Sequence, residues 1–522
     1  MKKLLILSVL GMPIMTMAAL SGKVVIEQGI YATSISQNGE WVASQSGSPS
    51  IYNVKTGEIQ KFDLGYIGLG NTIANNGLAV GDANDAGVLF FNNETIIPEI
   101  LSQYKYCNLN AVTPDGSRLV GMVTNPNKDG VSYVPFYADL DENANIIGTS
   151  ILPYPDRDFF GTIPQYVTAV WISEDGKTIA GQVIDSTGEY VYPIIFTLSD
   201  TFEWHCIFPS EELFNPTGIE IVENPYMNEP PYPYPENFMN PLRAEKYVAD
   251  YKDWLAAGAI PSEKPYEEDY MTKEQFEEYQ AAVARYNEWY DSIGEKKAAF
   301  NKMYTEILMT SPSFSQNEMA LDPSGEHLVM RGTIYKDNNE IAPYIYEFTK
   351  KGLERRIDLI YENQAPCQML SDGVIVTAIP QMSLSDSYIL LPGKSEFVAV
   401  QDFIGTVYPE ASAWMNENLP GGTGVVKFSD DMTVMAGAVV KDMFSETLQK
   451  EIVYKYNTYI ITGLTGLEEA GVEEISKDLN MDSNYRVYNL QGVKVMETKD
   501  AAGLKSLPKG IYVINGKKVI IK

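Results

Sequence analysis

Apolar and polar positions alternate in short bursts over most of the chain, and the bursts share one design. Asn110-Ala-Val-Thr-Pro-Asp-Gly-Ser-Arg-Leu-Val-Gly-Met-Val123 shows it most clearly: a short apolar strand, a Pro-Asp-Gly turn and a second apolar strand. Thr168-Ala-Val-Trp-Ile-Ser-Glu-Asp-Gly-Lys-Thr-Ile-Ala-Gly-Gln-Val183 repeats it, and shorter copies lie at 32–39, 72–81, 319–325, 369–373 and 426–437. Asp or Asn can bond the turn backbone, and Gly supplies the positive φ of a tight hairpin. The turn glycines fall at 39, 77, 116, 176, 325 and 373, with Met432 in the equivalent slot of the last copy. The second strand usually meets a further Gly, where it is expected to stop. A polar loop and an aromatic-rich third strand follow, as in Tyr133–Leu140, Tyr190–Leu198 and Ala342–Phe348.

A hairpin plus another strand, repeated every ~40–50 residues, is how a propeller blade reads in sequence. The expected fold is therefore all-β: a roughly seven-bladed β-propeller over 22–465. Six or eight blades stay open, because the two ends of a propeller often share a blade. A β-sandwich with similar turns ranks lower, since it does not require the same turn sequence each time. The repeats resemble the broad class of extracellular propeller repeats with a Ser-x-Asp-Gly turn, similar in layout to WD-repeat and kelch propellers. They lack the Trp-Asp of the first and the double glycine of the second, so the resemblance implies architecture and no activity.

The gap between the glycines at 176 and 325 is too long for one blade and predicts an insertion over 236–312. It is approached by Asn224-Pro-Tyr-Met-Asn-Glu-Pro-Pro-Tyr-Pro-Tyr-Pro235, whose prolines dictate an extended lead-in. Apolar spacing predicts a helix from Leu242 to about Ala257, then one long helix from Thr272 to about Met309. Thr272 and Gln275 have capping-box spacing. Phe276, Tyr279, Val283, Tyr286, Tyr290, Ile293, Phe300, Tyr304 and Ile307 follow a heptad rhythm. The first helix is the expected partner in a helical hairpin, but it is too short to cover the whole seam. The remainder must pack on the blades or on a second copy. Apolar stripes at helical spacing usually mean core. The sharper alternative is an aromatic binding platform of Trp254, Tyr286, Trp289 and Tyr290, since such rings suit sugars and protein hot spots alike.

Composition narrows the partners. The 522 residues carry a formal charge of −30, or −32 once Lys2 and Lys3 leave with a leader. So acidic a surface argues against nucleic acid or anionic membrane. Residues 1–19 read as a secretory signal: two lysines, an apolar run from Leu4 to Met12, and small residues before a cut near Ala18 or Ala19. No later segment is long and apolar enough to span a bilayer. At the other end, an acidic linker precedes Tyr485-Arg-Val-Tyr-Asn-Leu-Gln-Gly-Val-Lys-Val495 and Leu507-Pro-Lys-Gly-Ile-Tyr-Val-Ile-Asn-Gly-Lys-Lys-Val-Ile-Ile-Lys522. This tail, 466–522, resembles the short C-terminal sorting domains of type IX secretion in Bacteroidetes. The resemblance implies a small β-sandwich domain, contact with the secretion machinery, and release or attachment at the cell surface.

Candidate chemistry is sparse. Three cysteines, Cys107, Cys206 and Cys367, leave room for at most one disulfide and contain no Cys-x-x-Cys; they read as small buried residues. The two histidines, His205 and His327, make a His-based metal site or a catalytic triad hard to assemble, and His327 reads as an exposed strand residue. Asp139-Leu-Asp-Glu-Asn-Ala-Asn145 has oxygens at Ca²⁺-loop spacing, but Ala144 stands where such a loop needs Gly and Ser150 where it needs Glu. A solvated turn is expected. No catalytic residue, metal ligand or cofactor is assigned. The expected function is a secreted or cell-surface propeller binding a glycan or protein ligand. The alternative is a glycan-active hydrolase or lyase using carboxylates at the channel, marked by a basic residue beside them.

Overall fold

A computed structural model describes residues 24–521, except 465–484 and shorter stretches such as 46–48, 63–66, 336–340, 380–385, 446–449 and 499–506. The leader and the acidic linker lie outside the described residues. The chain divides into two compact units, one holding 1–156, 164–212 and 312–522, the other 157–163 and 213–311.

The first unit is mostly β. Its strands fall into successive four-stranded antiparallel groups: I (31–61), II (67–96), III (107–151), IV (166–207), V (313–358), VI (365–399) and VII (426–462). Groups III and IV touch through a single parallel bridge, Tyr133 to Tyr166. Group VII borrows its fourth strand from the other end of the sequence: Val24–Gln28 pairs with Lys450–Thr462, Val24 opposite Ile461 and Gln28 opposite Asn457. The first strands of groups I to VI pack on one another in chain order. Between VI and VII the Gln368 side chain bonds both ways with the Phe428 backbone, and the strand Val426–Phe428 meets Tyr31–Ile35 again. That ring of sheets is a propeller arrangement.

The apolar faces lie between consecutive groups. Ala43 and Ile51 of I, with Phe62 just after its last strand, share a core with Ile73, Val88 and Phe90 of II; Val42 and Tyr52 of I share another with Val434 and Ile460 of VII. Each large side chain so buried contributes about 1.5–3 kcal/mol.

The repeated turn explains its own sequence. In group III, the Gly116 N–H donates to the Thr113 carbonyl and the Thr113 N–H to the Arg118 carbonyl. Thr113 Oγ1 donates to Asp115 Oδ1, which also accepts from the Ser117 N–H. The same pattern recurs around Ser173 and Asp175 and around Ser429 and Asp431. Ser36, Ser173 and Ser429 are fully buried, so these bonds also spare their hydroxyls an unpaired burial. Every turn glycine has positive φ, from +68° to +87°, and Met432 takes the same conformation at +58°.

The second glycine does not end its strand, as expected, but sits inside it. Gly121 lies within Arg118–Thr124 and Gly181 within Thr178–Ile184. The facing strands bulge at Leu109/Ala111 and Ala169/Trp171. A Cβ at Gly121 would stand 1.9 Å from the Asn108 carbonyl oxygen, and one at Gly181 2.2 Å from that of Thr168. The bulge brings backbone onto backbone, and only glycine leaves room.

The second unit is largely helical, with α1 (Pro241–Ala256), α2 (Lys273–Ser292) and α3 (Gly294–Thr310). The capping box forms: Thr272 Oγ1 accepts from the Gln275 N–H, and Gln275 Oε1 accepts from the Thr272 N–H. The single long helix expected from the heptad rhythm is two helices. Ile293 leaves helical geometry at φ −93°, ψ 1°, immediately before Gly294, a poor helix former. The seam persists across the break, with Ile293, Phe300, Met303 and Ile307 buried. Its first half packs with Tyr247 of α1 and with Phe238, Tyr270 and Met271 from flanking turns.

Two further elements lie in the first unit. The helices α4 (Val400–Val407) and α5 (Pro409–Asn418), not expected from the blade repeats, bury Val400, Phe403, Ile404, Trp414 and Met415 against groups VI and VII. In the tail, the described strands form one four-stranded antiparallel sheet with Tyr485–Asn489 and Gly510–Ile514 at its centre.

Candidate ligand-binding pocket

The first strands of the groups run into their turns around a common axis, and a pocket of about 90 Å³ opens there. Its apolar wall is a collar: Ile35, Ile73, Val112, Ile172, Leu321 and Met369, one from each of groups I to VI. Each stands four residues before its turn glycine, and the position two residues nearer the turn faces the rim. Gln37, Pro114, Glu174, Pro323 and Asp430 hold that rim position. Thr72, Gln368 and Leu370 also line the pocket, and Trp171 completes it. Trp171 is 8% exposed, and its Nε1 donates to the Met319 carbonyl at 2.8 Å. Lys427 lies 5.9 Å from the Trp171 ring centre and donates to the Cys367 carbonyl.

The rim is stitched from turn to turn. Gln37 Nε2 donates to Glu174 Oε2 at 2.9 Å, bridging groups I and IV across the opening. The Asp430 N–H donates to the Gln37 carbonyl, and the Glu174 N–H to the Pro323 carbonyl. Asp430 Oδ1 accepts from the Ser371 N–H at 2.8 Å. Asn75, Asn76, Asp115 and Asp175 extend the rim into a wider shallow basin. Burial alone would raise the Asp115 carboxyl, but donors from Thr113 and Ser117 outweigh it and hold the group below its ordinary range. Chemically, the site offers an apolar collar of aliphatic width inside a ring of carboxylates and amides. Among the described lining residues there is no Lys, Arg or His.

The residues proposed from sequence lie elsewhere, in the helical unit, and are not all brought together. Tyr286, Trp289 and Tyr290 cluster with ring centres 5.5 to 6.4 Å apart, and Tyr232 joins Tyr286 at 5.1 Å. Lys297 Nζ sits 4.1 Å from the centre of the Tyr290 ring. Trp254 packs instead on Tyr251, on α1.

His327 is half-buried rather than an exposed strand residue. Its Nδ1 lies 3.0 Å from Glu347 Oε1 and 3.4 Å from Glu354 Oε2 in group V, and Arg355 binds the other Glu347 oxygen. These three ligand atoms lie close enough to hold a cation, yet Arg355 already balances Glu347. His205 is exposed on the outer strand of group IV. All three cysteines are free, and burial pushes the thiols of Cys107 and Cys206 up to about 12. In the loop at Asp139–Asn145, Asp139 pairs with Arg118, Asp141 accepts from the Asn143 and Asn145 backbones, and Ala144 has φ +61°. It is a hairpin turn closed on itself.

Comparison with protein-family models and with curated proteins finds no match. Among solved structures, the chain is similar to the Dos1 propeller, at 8% identity over 83% of this chain and 94% of that one, with a TM-score of 0.39. It is also similar to the β-propeller domain of the Trilobed protease from Pyrococcus furiosus, at 11% identity over 80% of each chain and a TM-score of 0.31. Hydrazine synthase from Kuenenia stuttgartiensis matches at 11% identity over 79% of this chain and 92% of that one, with a TM-score of 0.37. At such values nothing about ligand or activity is taken from them.

Proposed function

We propose that this protein is an exported, seven-bladed β-propeller that binds a ligand at the mouth of its central channel. Groups I to VII are its blades, the helical unit is an insertion within it, and the C-terminal sheet is its sorting-like domain. The observation that carries the reading is the pocket: apolar inside, polar at the rim, and built from all seven groups. A concave apolar site with a few converging polar groups is the usual form of a ligand site. The leader-like start and the tail's resemblance to sorting domains support export to the cell exterior. The hydrolase alternative asks for a basic residue beside the mouth carboxylates, and no observation on the described lining favours it.

The test compares the full chain with Gln37→Trp, which fills the opening from a half-buried rim position, on glycan and peptide arrays. Ligands bound by the first and lost by the second support the pocket. Binding that Gln37→Trp leaves unchanged for every ligand refutes it.

A further inference from the structure

We infer that the occupant of this pocket is a segment of a protein partner: one aliphatic side chain flanked by lysine or arginine. The inference deepens the proposed function and rests on it. Two independent features of the pocket point the same way.

The first is shape and polarity. The walls are mostly aliphatic, with Trp171, Thr72 and Gln368 among them, and a volume of about 90 Å³ suits a single branched side chain rather than a sugar ring. The inner oxygens, Thr72 Oγ1 and Gln368 Oε1, already accept from the Val112 and Phe428 N–H groups, and the carboxylates stand at the rim, so the interior is poorly suited to a metal ion. A ligand charge driven to that depth would be stripped of water, and a cation would also be repelled by Lys427, 5.9 Å from the Trp171 ring centre. The inserted group is therefore apolar.

The second is charge at the rim. Glu174 and Asp430 stand at the opening, with Asp115 and Asp175 just outside. Among the described residues, none of the four has a Lys, Arg or His nitrogen within 4.0 Å. Their hydrogen bonds come from uncharged donors: Gln37, Ser371, Ser173 and Thr113 among them. Four carboxylates round one mouth, on a chain of net charge −30, make a field that attracts cations and turns away acidic glycans. Basic residues on either side of the anchor would supply the missing partners while the anchor fills the collar.

Four labelled peptides test this on the full chain by fluorescence polarisation: Gly-Arg-Leu-Arg-Gly, Gly-Ser-Leu-Ser-Gly, Gly-Arg-Gly-Arg-Gly and Gly-Glu-Leu-Glu-Gly, each with blocked ends. The first should bind at least tenfold more tightly than any other and weaken as salt is raised. Glu174→Gln with Asp430→Asn should bring it to the level of the serine peptide, while Glu326→Gln, on the far side of blade V's turn from the lining, leaves it unchanged. Equal binding of the serine or glutamate peptide overturns the inference, as does binding that the paired substitution does not weaken. Failure of all four peptides overturns it too, and a glycan whose binding is lost in Gln37→Trp would then leave the pocket standing without this occupant.

Discussion

Two turn glycines separate conformational cost from crowding. Gly325 has φ +74° and Gly373 has φ +82°, so alanine at either pays about 1–2 kcal/mol for the left-handed region. Their surroundings differ. A Cβ at Gly325 would stand 2.5 Å from Thr178 Cβ, 2.8 Å from Thr178 Oγ1 and 2.9 Å from Ser173 Cβ, all on the preceding group, whereas at Gly373 nothing lies within 4 Å. Thr178 and Ser173 are both buried; Ser173 Oγ donates to Asp175 Oδ1 and accepts from the Thr178 backbone N–H, and the nearest atoms include both Cβ atoms, which no rotamer change moves away. Groups IV and V must part slightly, an overpacking cost of about 1–3 kcal/mol. Gly373→Ala should therefore lose about 1–2 kcal/mol and Gly325→Ala about 2–5 kcal/mol. Urea unfolding followed by far-UV circular dichroism measures both. Equal losses, or a larger one at Gly373, would refute the view that this turn is packed against its neighbour rather than merely bent.

Other expectations follow from the same contacts. Met432, at φ +58°, should accept glycine within about 1 kcal/mol, relief of the left-handed conformation offsetting lost packing, whereas Met432→Val should cost about 2 kcal/mol or more in thermal unfolding. Thr272→Ala should destabilise the start of α2 by about 1 kcal/mol, read as faster amide exchange at residues 274–276. The Asp115 carboxyl titrates below its unfolded value, so its stabilisation is complete above about pH 4 and fades as pH falls further. Asp115→Asn should therefore flatten the acid limb of the stability profile, and an unchanged limb would remove Asp115 from that account. Cys107 and Cys206 should resist iodoacetamide at pH 8 until denaturant is added; rapid native labelling of either would contradict their raised thiols.

The sequence revealed most where chemistry is local. A Ser/Thr-x-Asp-Gly turn carries its own hydrogen bonds, so each copy announced a hairpin, and the third strands at 133–140, 191–198 and 341–349 fell where aromatic alternation placed them. Fourth strands escaped notice because some are only two or three residues long, as at Val398–Ala399 and Glu94–Ile96. Helix α4 is visible in the spacing of Val400, Phe403, Ile404 and Val407 and α5 in that of Ala411, Trp414 and Met415, but both lie inside a stretch that the repeats fill with blades. Ile293 kept the heptad rhythm while leaving the helix, so periodicity alone could not show the break. The pocket was hidden for another reason. Ile35 and Asp430 are far apart in sequence, and no window holds both. Yet its members recur at fixed offsets before the turn glycine, so stacking the repeats would have displayed the collar and the rim. The aromatic rings on the helices are more conspicuous in sequence, yet Trp254 packs on Tyr251.

The strand Val24–Gln28 has a consequence for time. It is among the first parts of the described chain to be made, yet its partners, Asn457 to Ile461, come more than 400 residues later. At a synthesis rate of about 5–20 residues per second, it waits about 20–90 seconds with an unpaired edge. Throughout that interval the ring cannot close, however well the intermediate blades have formed. The clasp that finishes the ring is therefore the last part of it to become available.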